Sequence, residues 1–225
     1  MTFYSAQSVQ VSGYTLRLFE TIGCGEEVPG RTGTRIWSSS AILADHMISK
    51  RSEFEGRSVL ELGAGPGVCG LIAVQLGSNV TMTDFDPKVL TLLMKNIRSN
   101  LLETDACDRV HTHRLDWSDE STYISEQFDV LIASDVLYWE EHIGWLVTTI
   151  NFHLKPTGQC LMVVAGRGKP NLVSDLVAAL SHAGFLVGRS HISRTDVSDS
   201  LAQSEKHDAQ IASTGGYELI EARRR

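Results

Sequence analysis

The sequence predicts an α/β fold, a mostly parallel sheet with helices on both faces, preceded by an N-terminal extension. Three observations predict it. From Ser58 onward, short apolar runs alternate with stretches of helical periodicity, the pattern of successive β-α units. The first of those runs leads into a glycine-rich turn, Gly63-Ala64-Gly65-Pro66-Gly67, which opens a helix. The chain has 225 residues, 42% of them hydrophobic and 21% charged. That is enough for one large domain whose core needs neither disulfides nor a structural metal.

Residues 1–50 read as the extension and residues 51–225 as the core. Val9, Val11, Tyr14, Leu16 and Leu18 flank Gly13 as a hairpin would. Gly23 to Gly33 reads as a loop, and Ser38-Ser39-Ser40 starts a helix through Ala41, Leu43, Ala44 and Met47. Ser58–Leu62 is the first core strand. Val68, Leu71, Ile72 and Leu76 recur at helical spacing and stop at Gly77. Val80–Thr83 is the second strand. Asp86-Pro87 then has the form of an N-cap followed by proline at the first helical position, and Leu90, Leu93, Met94 and Ile97 supply the buried face of that helix.

Val110–Leu115 and Phe128–Ser134 follow as strands three and four. Ile143, Leu146, Val147, Ile150 and Leu154 mark a helix. Gln159–Ala165 is strand five, and Leu172, Leu176, Val177 and Leu180 mark another helix. Phe185–Val187 and Tyr217–Ala222 complete seven strands, separated by a polar stretch, Arg194 to Gly216, that reads as a loop or short helix near substrate. The terminal Arg223-Arg224-Arg225 reads as a frayed, solvated tail.

Charge and cysteines narrow the function classes. A net charge of −7 argues against a non-specific nucleic-acid binder, which needs clustered Lys and Arg. Cys24, Cys69, Cys107 and Cys160 include no C-x-x-C pair, so no zinc knuckle or redox dithiol is expected. No basic-then-apolar leader and no run of membrane-spanning length is visible, so a cytoplasmic protein without a membrane partner is expected. Asn79-Val80-Thr81 matches a glycosylation sequon but falls in a buried strand.

Four motifs carry chemistry, and all fall at the carboxyl ends of strands, where open α/β sheets bind ligands. The glycine turn is spaced G-x-G-x-G, with Val68 where a dinucleotide fingerprint has its last glycine. Glu61 stands two residues before Gly63. A carboxylate there repels a pyrophosphate and suits a ligand with a sulfonium and an α-ammonium group. Asp84 ends strand two, about 20 residues beyond the turn, where an acid accepts from two ribose hydroxyls; Asp86 competes for that role. Asp116-Trp117 follows strand three and suits adenine, by acceptance from its amine and by stacking, although Trp117 reads equally as a rim core residue. After strand four, Asp135 is placed to hold an incoming nucleophile, and Tyr138 to wall the pocket around a methylated ammonium; a strand cap and a packed aromatic would look the same.

These motifs in this order resemble the seven-strand protein lysine methyltransferases, the group that includes the calmodulin, valosin-containing-protein and elongation-factor enzymes. The more specific marks are Gly33-Thr34-Arg35-Ile36-Trp37, Leu115-Asp116-Trp117 and Asp135-Val136-Leu137-Tyr138. The resemblance implies a Rossmann-like methyltransferase sheet whose last strand is antiparallel, and S-adenosyl-L-methionine as the methyl donor. It implies a donor site of Trp37, Glu61, Gly63, Gly65, Asp84, Asp116, Trp117 and Ser134. It implies Asp135 and Tyr138 as the catalytic pair at the substrate entry, a lysine-bearing protein as partner, no metal, and a monomer. A small-molecule methyltransferase, or one acting on arginine or histidine, would share the donor site. A dinucleotide oxidoreductase and a non-catalytic binding module are further readings. Gly166-Arg167-Gly168-Lys169 matches no phosphate loop.

Overall fold

In the computed structural model the described residues are 3–22, 32–102, 104–165, 169, 171–192 and 216–225. The Gly23–Gly33 loop apart from its end, most of Gly166–Lys169, and the Arg194–Gly216 stretch up to 215 lie outside them.

The chain begins with a hairpin, β1 (Phe3–Val11) and β2 (Tyr14–Ile22), joined by Ser12-Gly13 with both φ values positive. Two such residues form the tight turn whose twist matches paired strands. The core follows as α1 (Ser38–Ser49), β3 (Ser58–Leu62), α2 (Val68–Gln75), β4 (Asn79–Asp84), α3 (Pro87–Leu101), β5 (Val110–Arg114), β6 (Phe128–Ser134), α4 (Glu141–His153), β7 (Leu154–Ala165), α5 (Leu172–His182), β8 (Phe185–Ile192) and β9 (Tyr217–Arg224). The seven core strands lie in the order β5-β4-β3-β6-β7-β9-β8. β9 runs antiparallel to both neighbours, and the other pairings are parallel. The order reverses between β3 and β6, and there the sheet opens a crevice at its carboxyl edge.

Two apolar clusters sandwich the sheet. Leu43, Met47, Leu71, Ile72 and Leu93, from α1, α2 and α3, pack one face together with Val9, Val11, Leu16 and Leu18 of the hairpin. Leu146, Ile150, Leu172, Leu176 and Leu180, from α4 and α5, pack the other. The helix over Ser38–Ser49, expected within the extension, therefore shares the core cluster.

The hairpin is fastened to α3 by two amide side chains. Asn96 accepts from Phe19 N (2.8 Å) and donates to Phe19 O (3.2 Å); Asn100 does the same with Arg17, at 2.9 Å in each direction. Four residues of helix rise about 6 Å and two of strand about 6.8 Å, so the two amides meet alternate residues of β2 as a third strand would. The Lys95 ammonium lies 4.0 Å from the Tyr4 ring centroid and 3.9 Å from that of Phe19.

This arrangement also moves the buried face of α3. Val89, Leu92, Leu93, Asn96, Ile97 and Leu101 are buried, whereas Met94, expected inside, is 41% exposed. Two other expectations change. β7 begins at Leu154 and β8 reaches Ile192, both longer than their apolar runs, because pairing with β6 and β9 supplies backbone partners that hydrophobicity does not report. The arginine tail is structured through Arg224: its guanidinium donates to Asn151 Oδ1 (2.8 Å) and Asn151 O (2.6 Å), and Arg223 donates to Gln159.

Candidate active site

The crevice at the β3/β6 reversal is a cavity of about 490 Å³, lined by Trp37, Gly63, Gly65, Asp84, Asp116, Trp117, Ser134, Asp135 and Tyr138 among others. The structure thus brings together nine of the ten residues singled out in the sequence, from five separate segments. Glu61 is absent from the lining.

The floor is backbone. Gly63 has φ +65°, and a Cβ there would stand 2.8 Å from Val136 Cγ1 and 3.8 Å from the Trp117 ring. A side chain at this position would carry backbone strain and fill the space between the floor and those two walls.

Glu61 lies behind that floor. It is 3% exposed, and its Oε2 accepts from Gly70 N (3.1 Å) within α2. Gly70 permits the approach, since a Cβ there would be 2.4 Å from the same oxygen. Burial raises the Glu61 pKa to about 8; the Gly70 hydrogen bond works against that rise, and the nearby Asp84 adds to it. The expectation of direct contact with a ligand rested on sequence distance from Gly63. Strand alternation instead turns this side chain beneath the helix.

Asp84, 6% exposed at the end of β4, accepts from Asp86 N (3.1 Å) and Gly65 N (3.3 Å). Burial pushes it up to about 6 despite those hydrogen bonds. Asp86 caps α3 instead, accepting from Lys88 N at 2.8 Å. Both acids line the cavity, and Asp86 is committed to the cap as well. A buried carboxylate in an aromatic-lined cleft is suited to hydroxyl donors, whose hydrogen bonds favour its charged form. Asp116 turns back on its own loop, accepting from Ser118 N (3.1 Å) and Ser118 Oγ (2.7 Å). Trp117 is held from behind, its carbonyl accepting from the Tyr123 hydroxyl at 3.1 Å.

On the other side, Asp135 leaves β6 with φ +53° and only 2% exposure, its N–H donating to Val163 O (2.8 Å). Left-handed backbone at a non-glycine residue favours Asp and Asn. It ends the strand abruptly and begins the segment that carries Tyr138 to the mouth. The Tyr138 carbonyl accepts from Lys169 Nζ at 2.6 Å. Among the described residues no group of three or more metal-ligating side chains is assembled.

Several lining residues went unnoticed in the sequence: Phe85 on one rim, and Trp139, His142 and Trp145 on the other. The three-residue spacing of the last group was the available signal. Asn96 was missed too; besides Phe19, it donates to Pro66 O in the glycine turn at 2.9 Å and is fully buried.

The sequence model of the lysine methyltransferase family matches residues 20–175, more than half of the chain. The chain belongs to the lysine methyltransferase family. Protein N-lysine methyltransferase METTL21A of Xenopus tropicalis is 31% identical over 132 residues, 59% of this chain and 59% of that protein. EEF1A lysine methyltransferase 3 of Mus musculus is 29% identical over 124 residues, 55% of this chain and 52% of that one. The chain spans about half the length of the curated relatives it matches. Among solved structures, the glycopeptide N-methyltransferase MtfA in complex with S-adenosyl-L-homocysteine superposes with a TM-score of 0.62 at 17% identity. That match covers 84% of this chain and 91% of that one, and it shows a shared fold.

Proposed function

We propose that this member of the lysine methyltransferase family moves a methyl group from S-adenosyl-L-methionine to the side-chain amine of a lysine in a protein substrate. The observation that carries the reading is one cavity holding a buried carboxylate, Asp84, over a glycine floor on one side and the Asp135–Tyr138 segment on the other. Asp84 would accept from the ribose hydroxyls, and Trp37, Asp116, Trp117 and Ser134 would border the adenosyl group. Gly63 and Gly65 would let the chain approach closely. Glu61 would support the floor from behind, through the hydrogen bond it accepts from Gly70 N. When bound, the donor supplies an electrophilic methyl on a positively charged sulfur.

The protein contributes position and electrostatics. Asp135 orients the acceptor amine, and Tyr138 walls its path. An ordinary lysine titrates near ~10.4 and must shed a proton before it can attack. Burial lowers that value and the Asp135 carboxylate raises it, so Asp135 is assigned to orientation, with water removing the proton. A protein substrate suits a mouth bordered by exposed aromatic rings, with Phe85 57% and Trp139 55% exposed. The net charge of −7 favours a protein over a nucleic acid, and the free thiols Cys69, Cys107 and Cys160 fit the reducing cytoplasm. No helix among the described residues is long and apolar enough to cross a membrane. We take the enzyme to act as a monomer.

Calorimetry with S-adenosyl-L-methionine, followed by transfer of its radiolabelled methyl group to cell-extract protein and amino-acid analysis after acid hydrolysis, tests the reading. Micromolar binding and label in methyl-lysine are expected. Absence of binding by folded protein overturns the donor, and label confined to small molecules overturns the substrate class.

A further inference from the structure

We propose that the α4 side of the mouth is a docking surface for a basic segment, so that the acceptor lysine is presented among further Lys or Arg residues. This rests on the reading of the cavity as a lysine methyltransferase site, and it adds the chemistry of the sequence around the acceptor.

Three aromatic rings carry the surface. Trp139 lies just before α4, and His142 and Trp145, three residues apart on it, flank the stripe of buried Ile143, Leu146, Val147 and Ile150. Trp139 is 55% and Trp145 42% exposed, and the His142 and Trp145 rings stack with centroids 5.6 Å apart. All three border the same cavity as Asp135 and Tyr138, so a chain lying on them delivers a side chain to that segment.

The charge of the mouth selects the occupant. Asp135 is the cavity carboxylate next to this surface in the chain, whereas Asp84 and Asp116, which also line the cavity, serve the proposed donor end. Glu140 and Glu141, beside Trp139, are exposed, and neither forms an ion pair among the described residues. Against these acids stand Arg35, Lys169 and Arg114, the last paired with Asp116 at 3.6 Å. Lys169 is engaged by the chain itself: its ammonium donates to Tyr138 O and lies 4.3 Å from the Trp139 ring centroid. That contact shows that an indole of this rim accepts a cation on its face. The stacked pair at His142 and Trp145, with the Glu141 carboxylate beside it, offers an incoming guanidinium or ammonium the same chemistry.

The test reads binding without turnover. A fluorescein-labelled peptide, Arg-Arg-Gly-norleucine-Gly-Arg-Arg, in which norleucine replaces the acceptor lysine, is compared by anisotropy with the peptide carrying Glu in place of every Arg. The whole 225-residue chain is used, saturated with S-adenosyl-L-homocysteine. The arginine peptide is expected to bind at least ~10-fold more tightly at low salt, a preference that shrinks in 0.5 M NaCl as screening sets in. Trp145→Ala and the double change Glu140→Gln, Glu141→Gln should each weaken it about fivefold, while calorimetric affinity for S-adenosyl-L-homocysteine stays within about twofold. Equal binding of the two peptides, or no loss in either variant, overturns the docking surface. Arginine-peptide binding without methylation of its lysine counterpart overturns the enzymatic reading and leaves the surface standing.

Discussion

The two ends of the cavity are built on different principles. The proposed donor end is braced: Asp84 is 6% exposed with two backbone N–H groups on its carboxylate, Gly63 makes the floor, and Trp117 is held by Tyr123, with Phe85 alone standing out at the rim. The acceptor end is open: Asp135 is buried, yet beyond Tyr138 the wall becomes Trp139 and Trp145, both more than 40% exposed. The difference fits the proposed roles, a site for one invariant small molecule and a surface for a partner that brings its own bulk. Preorganised groups lose little freedom on binding, whereas exposed aromatic rings gain their contacts only when the partner covers them.

Changes at four positions break or sharpen that contrast. The largest effect is expected at the donor end, where Asp84→Ala should lower affinity for S-adenosyl-L-methionine about 100-fold by calorimetry, because a charge-assisted hydrogen bond contributes ~1.5–3 kcal/mol. The pH dependence of the unmodified protein reports the same group. Asp84 sits near 6 in the free protein, and hydroxyl donors favour its ionised form. Donor affinity should therefore be full above that value and fall by up to about tenfold per unit below it, and Asp84→Asn should remove the slope.

At the acceptor end, Asp135→Asn keeps a residue that tolerates left-handed backbone. It should cost roughly 30-fold in turnover, about 2 kcal/mol, while donor affinity holds. Loss of donor binding alone would remove Asp135 from the acceptor role.

Asn96→Ala tests the brace behind the donor end. It deletes bonds to Phe19 and to Pro66 O and should cost about 2 kcal/mol in denaturant unfolding. If the brace holds the glycine turn as well as the hairpin, KM for the donor rises more than kcat falls.

The smallest effect on donor binding and turnover is expected at Glu61, whose signature is in stability. Its pKa is about 8 folded, against 4.5 for an unperturbed carboxyl. Between those values the folded state holds the proton that the unfolded state has released, so stability falls as pH rises through the window and levels off above it. Glu61→Gln should flatten that decline by about 1 kcal/mol or more across a melting series from pH 5 to 8. An unchanged slope would place the ionisation elsewhere.

What was legible in the sequence followed from local signals. The glycine turn, the Asp86-Pro87 helix start and the alternation of strands and helices are each written within a few residues, and they place Asp84 and Asp135 at strand ends. The misplaced features depend on what lies across space. Glu61 was read by its distance from Gly63, but the pleat and Gly70 decide where its carboxylate goes. Met94 was placed inside by its hydrophobicity, yet the amides of Asn96 and Asn100 set the contact face of α3. Trp139 and Trp145 resemble core aromatics in a list of residues; only the packing of Ile143 and Leu146 shows that they face outward.

The paired amides on α3 have a consequence for how the N-terminal ribbon can vary. Helix and strand advance by nearly equal steps between Asn96 and Asn100 on one side and Phe19 and Arg17 on the other, so the two contacts work as a vernier. One inserted residue in β2 would satisfy a single mark at most and would turn Leu16 or Leu18 toward water. Length changes are therefore tolerable at the Ser12-Gly13 tip and not along the rail, and the distance from the ribbon to the Gly33–Trp37 wall is gauged from the helix.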